Sequence, residues 1–580
     1  MDYKILASYY ERIENTPKRM EKTDLICELL EKTEKDSIRD VILLLQGKVF
    51  PDWDERKIGT STGIMVKALC MATGMNQAAV EREVKDTGDL GLSAEKLISN
   101  NKQSTLFSSS LSVKKVFDNI KKLSTLEGSG MQNRKVQLLA ELMTSSEPIE
   151  ARYITRTVLG ELRVGASIGT LRDAIIKRFF PDEFERRDSE KKDDYKRILD
   201  LVQRAYDLTN DIAEVVTTVQ EGGIEGLEGK SIEIFKPVNP MLFYKAKSID
   251  EAFSIVGRPA FLEYKYDGFR IQIHKRGDEV RLFTRRLEEV TEQFPDIVEI
   301  IRSNVLADDA LLDAEVMGID KKTGKMLPFQ NISQRIRRKH DIKKTADEIP
   351  VVIAVFDMLK LDKDLLDNPF MERRKMLSSV VKQEEGKIVL SEAKETDDDE
   401  EANAFYEKSL LLGNEGIMVK SLDKSYKPGA RVGFGVKIKP VLEPLDLAIT
   451  RAEWGHGKRA GWLTSYTVAC KDGDSLLEIG KVGTGIKELE GEPDDKNHLN
   501  FKAMTEYLRP LVISENGASV KLRPDIMVEV DYEEIQKSTT YESGFALRFP
   551  RIKRLREDIK EPSSLDDVKA IYKGQRGREE

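Results

Sequence analysis

EYKYDGFR, residues 263–270, is the stretch on which the reading of this chain turns: Glu263-Tyr264-Lys265-Tyr266-Asp267-Gly268-Phe269-Arg270. An alternating strand runs into Asp-Gly, a turn signal, and a second β-rich run follows at 271–274, which places Lys265 near a strand end beside a turn. Burial among aromatic neighbours and the charge of Arg270 both disfavour an ammonium, so Lys265 is a candidate neutral amine. A neutral amine is a nucleophile. The K-x-D-G pattern alone is weak, since a surface hairpin with charged ends has the same sequence.

Downstream, short β-branched or aromatic runs at 280–284 and 351–356 alternate with helical segments, predicting an α+β domain over 240–440. Chemistry-bearing residues recur through it in order. FTRRLEEVT holds Thr284 and Arg285, LLDAEVMG holds Glu315, and VFDML holds Phe356 and Asp357. EGIMVK holds Glu415 and Lys420, YKPGARVGFGVKIKP holds Arg431, Lys437 and Lys439, and FALRFPRIKRLR holds Arg548 and Arg551. Nucleotidyl transfer needs such a set: a nucleophile, cations for developing phosphate charge, and carboxylates for Mg²⁺, which prefers oxygen. Taken singly, each has a plainer reading. Glu315 and Glu415 could be exposed strand-end carboxylates, Phe356 a core residue, and Arg431 and Lys437 a surface coat.

As an ordered set, these motifs resemble those of the ATP-dependent DNA ligases, with the archaeal replicative type most similar, over essentially the whole chain. The resemblance implies that Lys265 carries AMP, that Glu263 and Arg270 contact adenosine, and that Arg285 lies near the sugar or phosphate. It implies further that Phe356 stacks on adenine, that Glu315 binds the ribose or assists the metal, and that Glu415 assists the metal. Arg431 and Lys437 would contact phosphates, and Arg548 and Arg551 would help to activate ATP. ATP and Mg²⁺, with Mn²⁺ as a substitute, would then serve the sealing of 5′-phosphate/3′-hydroxyl nicks in duplex DNA during replication, recombination and repair. One departure is visible: Gly435 and Val436 precede Lys437 where the family often has a tryptophan.

Upstream, apolar residues at helical spacing, broken by Gly- and Ser-containing turns, predict an all-α domain over 1–215. The Gly- and Pro-rich segment 216–239 reads as a linker. In ELRVGASIGTLRDAI, Gly165, Ser167 and Gly169 would admit a phosphate to backbone N–H groups at a helix start, with Arg163 and Arg172 beside it. An ordinary tight turn between helices is the alternative, and the stretch resembles the ligase DNA-binding domain. The last region, 441–580, has many short strands and Gly turns, predicting a β-barrel of the oligonucleotide-binding (OB-fold) type with a C-terminal helical tail. Gln103, Leu106 and Phe107 resemble the short peptide by which replication enzymes dock on a sliding clamp; the alternative is that both apolar residues join the helical core.

The chain has 580 residues, 94 basic and 102 acidic, a net −8 that does not exclude a polyanionic partner. Local patches bind phosphate, and residues 151–180, 335–344 and 548–556 are net positive. Three scattered cysteines exclude a disulfide framework and the zinc finger of NAD-dependent ligases. No membrane span or secretion signal is evident, so a soluble, cytoplasmic, nucleoid-associated monomer acting on nicked double-stranded DNA is expected. RNA ligases and capping guanylyltransferases share the lysine motif, but the long helical domain argues against both. A non-catalytic nick-binding clamp is the rival from another class.

Overall fold

The computed structural model describes residues 1–575 except 55, 101–109, 127, 129, 191, 328, 337, 339, 441, 456–458, 460 and 488–499. The chain forms two compact units. One comprises Met1–Phe243, Gly268–Ser391 and Leu422–Val432, and the other Tyr244–Asp267, Glu392–Ser421 and Gly433–Glu580. The region expected as one domain over 240–440 thus contributes to both.

The N-terminal part is helical, as expected. Tyr3–Asn15 buries Tyr3, Leu6, Ala7, Tyr10 and Ile13, the i, i+3, i+4 stripe that helical periodicity demands. Side chains of Ser61, Asn76, Asp89, Ser112 and Ser167 accept from backbone N–H groups and start the helices that follow them. The segment expected as a linker from 216 is instead helix as far as Glu228. Ile212–Glu228 starts on the Asp211 cap and buries Val215, Val216, Val219 and Leu227, and this apolar stripe outweighs the glycines. Gly223, at φ 54°, is not helical, so the span is two helices that meet at a kink there.

The same unit contains a mostly antiparallel sheet in which Phe269–Arg276 lies between Glu279–Thr284 and Asp309–Ile319, followed by Val351–Leu361, to which Ile388–Leu390 adds in parallel. Its core of Ile271, Ile273, Leu312, Ala314, Ile353 and Val355 is covered by Pro295–Asn304 and Phe370–Val380. The incoming chain is strapped along Phe269–Arg276 by alternate side chains of that strand. Gln272 Oε1 accepts from Val238 N–H at 2.9 Å and its Nε2 donates to Val238 O at 2.7 Å, while His274 Nδ1 accepts from Phe235 N–H at 3.0 Å.

In the other unit Ala260–Lys265 is central to a sheet, paired with Gly416–Lys420 on one side and Ala393–Thr396 on the other. Lys265 ends its strand, and a hairpin at 263–270, the plainer reading of the motif, does not form. The strands before and after Asp267-Gly268 pair into different sheets, and neither residue has the positive φ that a two-residue hairpin of type I′ requires. The C-terminal region is a seven-stranded antiparallel sheet around one core that includes Leu447, Ile449, Tyr466, Val468, Phe501, Val530 and Ile552. Helix Leu565–Gly574 follows it. Among the described residues no helix is long and apolar enough to cross a membrane.

His274 is fully buried, and burial, with Arg281 adding to it, pushes its pKa down to about 3. The unfolded chain therefore takes up this proton first. The contribution of His274 to stability is complete above about pH 6.5 and is lost as pH falls towards 3. Asp207, raised to about 7 by burial, has the opposite sign above its ordinary range, so a single-site comparison is needed. The stability difference between wild type and His274→Gln, from denaturant melts, should shrink between pH 7 and 4.5 by at most about 1.4 kcal/mol per unit. A difference constant with pH would mean that the imidazole is not held neutral.

Candidate active site

Alternation along Ala260–Lys265 sends Tyr264 into the core, where its ring lies 4.7 Å from that of Phe405, and leaves Glu263 and Lys265 on the opposite face. Glu263 is buried and pairs with Lys420 of Gly416–Lys420. Lys265 Nζ donates to Glu415 Oε2 at 2.5 Å, and Lys439 Nζ reaches the same oxygen at 2.6 Å. Burial would raise the Glu415 carboxyl, but the charges of Lys265 and Lys439 outweigh it and hold the group well below the usual carboxylate range. Two features aim this carboxylate. Glu415 N–H donates to Lys265 O at 2.8 Å. Gly416, at φ 142°, passes so close to the neighbouring strand that a Cβ would stand 2.0 Å from Ile438 O. Lys437 lies opposite Met418, which is itself opposite Glu263, and is half-buried.

In the other unit Arg270 stands opposite Glu315 in the sheet. Its Nη2 donates to Asp313 and, at 2.9 Å, to the Tyr426 hydroxyl, and its guanidinium lies 5.3 Å from the centre of the half-buried Phe356 ring. Next to Phe356, Asp357 is buried against Arg373, which reaches it through two N–H donors at 2.8 and 2.9 Å. Glu315 is half-buried, whereas Arg285, in the turn after Glu279–Thr284, and Arg431 are exposed.

The turn expected to meet DNA is cationic for a reason the local sequence does not show. Ser167 caps Ile168–Phe179, accepting from Thr170 N–H at 3.3 Å. The two glycines make room for side chains of Arg19–Lys32: a Cβ on Gly165 would lie 2.5 Å from Lys22 Nζ, and one on Gly169 3.2 Å from Arg19 Nη2. Arg163 is exposed at φ 56° and pairs with Glu161, while Arg172 is tied to Asp173 and Gln203. Arg548 belongs to a separate two-stranded ladder, Glu534–Lys537 with Phe545–Arg548, and donates to the buried Glu534 at 3.2 Å, while Arg551, in the seven-stranded sheet, is exposed. Gln103, Leu106 and Phe107 lie outside the described residues.

Comparison with known proteins bears on this arrangement. The family model for the ATP dependent DNA ligase domain matches residues 240–439, that for the DNA ligase N terminus 2–176, and that for the ATP dependent DNA ligase C terminal region 459–559. The DNA ligase of Nanoarchaeum equitans is 44% identical over 100% of this chain and 99% of its own length. The chain belongs to the ATP-dependent DNA ligases. The DNA ligases of Thermococcus fumicolans and Archaeoglobus fulgidus are 41% and 40% identical, each aligned over 98% of both chains. The solved structure Pmar-Lig_Pre, 16% identical with a TM-score of 0.56 over 95% of this chain and 99% of that one, shares the fold.

This ligase is thus an ATP-using enzyme, and its polar clusters include residues that the motif reading passed over. Asp313 and Tyr426 sit a few positions from Glu315 and Arg431, and Arg373 sits well away from any motif residue, yet they meet Arg270 and Asp357 through tertiary contact; Lys22 and Arg19 are far from 163–172 in sequence. A buried acid inside an otherwise apolar strand, Asp313 in LLDAEV, was the one available signal. Gly416→Ala in this ligase should cost about 3 kcal/mol or more, because the strained φ and the clash with Ile438 O both oppose a Cβ. Thermal melts and self-adenylation should fall together, and an unchanged melting temperature would show that the strand tolerates the side chain.

Proposed function

We propose that the Lys265 amine attacks the α-phosphorus of ATP, forming a phosphoramidate as the bond to pyrophosphate breaks. AMP then passes from Lys265 to the 5′-phosphate of a nick, and the 3′-hydroxyl displaces it to join the strands. The observation that carries this reading is the convergence of Lys265 and Lys439 on Glu415, a lysine held at a strand end by a carboxylate that stays charged. Such a carboxylate orients the amine and is a poor proton acceptor. Glu263 and Arg270 are assigned to adenosine, Phe356 to the adenine face, Arg285 to the sugar or phosphate, and Arg431, Lys437, Arg548 and Arg551 to phosphates. Arg270 and Phe356 fit such roles as neighbours, a donor fork beside a half-buried ring.

Glu415 and Glu315 are each assigned to a hard divalent cation, Mg²⁺ or Mn²⁺, since a carboxylate offers oxygen. Held by such a carboxylate and by substrate phosphates, the ion would neutralise charge on the phosphates. The same reading takes nicked duplex DNA in replication, recombination and repair as substrate, a monomer as the working state, the nucleoid as its place, and Gln103, Leu106 and Phe107 as a clamp-binding peptide.

Lys265→Ala should abolish retention of labelled AMP from α-labelled ATP and sealing of a 5′-phosphate nick, while keeping measurable sealing of a nick already adenylated at its 5′ end. Full sealing from ATP by this variant would sink the mechanism, and absence of labelled AMP on the wild type would favour the non-catalytic clamp. A separate measurement addresses DNA. Arg163→Glu should weaken nick binding and reduce the steepness of its salt dependence by about one in the log–log slope, with self-adenylation intact. An unaltered slope would remove Arg163 from the DNA surface.

A further inference from the structure

We infer that Tyr426 is a positioning residue for Arg270, fixing the guanidinium through one buried hydroxyl. The inference rests on the reading of Arg270 as an ATP contact. Tyr426 is 2% exposed, and three groups meet its oxygen: Arg270 Nη2 at 2.9 Å, Met241 N at 3.0 Å and Asp313 Oδ2 at 3.0 Å. A guanidinium and a backbone N–H can only donate, and an ionised carboxylate can only accept. The hydroxyl must therefore accept from Arg270 and Met241 and give its own proton to Asp313. Burial and the charge of Asp313 push the phenol far above its ordinary value, so the proton stays in place.

Asp313 accepts from Arg270 as well as from Tyr426, which closes a three-membered ring of contacts. Arg270 Nη1 reaches Met241 O at 3.3 Å, so both backbone polar groups of Met241 take part. The ring of Tyr426 is itself held. Arg373 lies 5.8 Å from its centre and donates at 3.3 Å to the carbonyl of Lys424, while Tyr426 N–H donates to Leu366 O at 2.8 Å. Phenylalanine would fill the same space and lose all three bonds, leaving the Met241 N–H and one Arg270 N–H without a partner in a buried setting.

The test compares Tyr426→Phe, Asp313→Asn and Arg270→Lys with wild type in single-turnover self-adenylation across ATP concentrations, with melting temperatures measured alongside. Tyr426→Phe should raise the ATP concentration for half-maximal rate about tenfold, with the maximal rate within about threefold of wild type. Asp313→Asn should shift it in the same direction, and is read in its place if Tyr426→Phe does not fold. A folded variant whose maximal rate falls at unchanged half-saturation overturns the inference. So does unchanged half-saturation in Tyr426→Phe or Asp313→Asn where Arg270→Lys raises it. Unchanged half-saturation in all three, Arg270→Lys included, overturns the assignment of Arg270 to ATP and this inference with it.

Discussion

One carboxylate oxygen, Glu415 Oε2, receives two ammonium groups, and the lysine cluster depends on that meeting. Two cations converging on a largely buried acid would repel each other without it, and the acid would be costly to bury without them. Removal of Glu415 takes the shared carboxylate from two neighbouring ammonium groups, whereas removal of either lysine leaves a one-to-one pair. Lys439 also lies 3.4 Å from Glu533 in the C-terminal sheet region, so the cluster is tied to more than the strand that carries Lys265. The amine proposed as the nucleophile is thus held in a defined place by a charged carboxylate.

The backbone makes this possible through close approach at two glycines. Gly416 turns the chain so that Glu415 faces Lys265, where any side chain would strike Ile438 O. At Gly268 a Cβ would stand 2.3 Å from Val316 O, so the residue that ends the K-x-D-G motif is glycine for packing against Asp309–Ile319. This differs from the turn chemistry that the motif suggests. Asp267-Gly268 carries the chain from one sheet into another, and what looks like the tip of a hairpin is a crossing between two hydrogen-bonded ladders.

Period and cap signals, which act within a few residues, were readable in the sequence: the helices before Asn210, the strands around Lys265 and Arg270, and the ordered motif residues. Pairing was not. Alternation shows that 260–265 and 269–276 are strands but says nothing about which strand each joins. The segment 216–239 differs from a plain linker for a related reason: the apolar residues Val215, Val216, Val219 and Leu227 hold helix as far as Glu228, and the glycines act at the kink at Gly223. Lys22 beneath Gly165 and Tyr426 beneath Arg270 lie beyond any local window, since each partner is more than a hundred residues away.

The position of Phe356 follows from a register shift in the sheet. Between Asp313 and Ala314 the ladder slips by one residue, so Phe356 is the extra residue of a bulge and strict alternation does not hold there; its ring comes to lie near Arg270, which also meets Asp313. Asp357 stands directly opposite Asp313 across the ladder, a like-charge pair that is unfavourable on its own. Arg373 balances the first and Arg270 the second, and Tyr426 touches both arginines, by its ring and by its hydroxyl. Two acids, two bases and one phenol therefore form a balanced set within apolar surroundings. Its geometry is stiff because each member has few other ways to be satisfied, and that stiffness lets a flexible arginine side chain present a fixed donor fork beside an aromatic face.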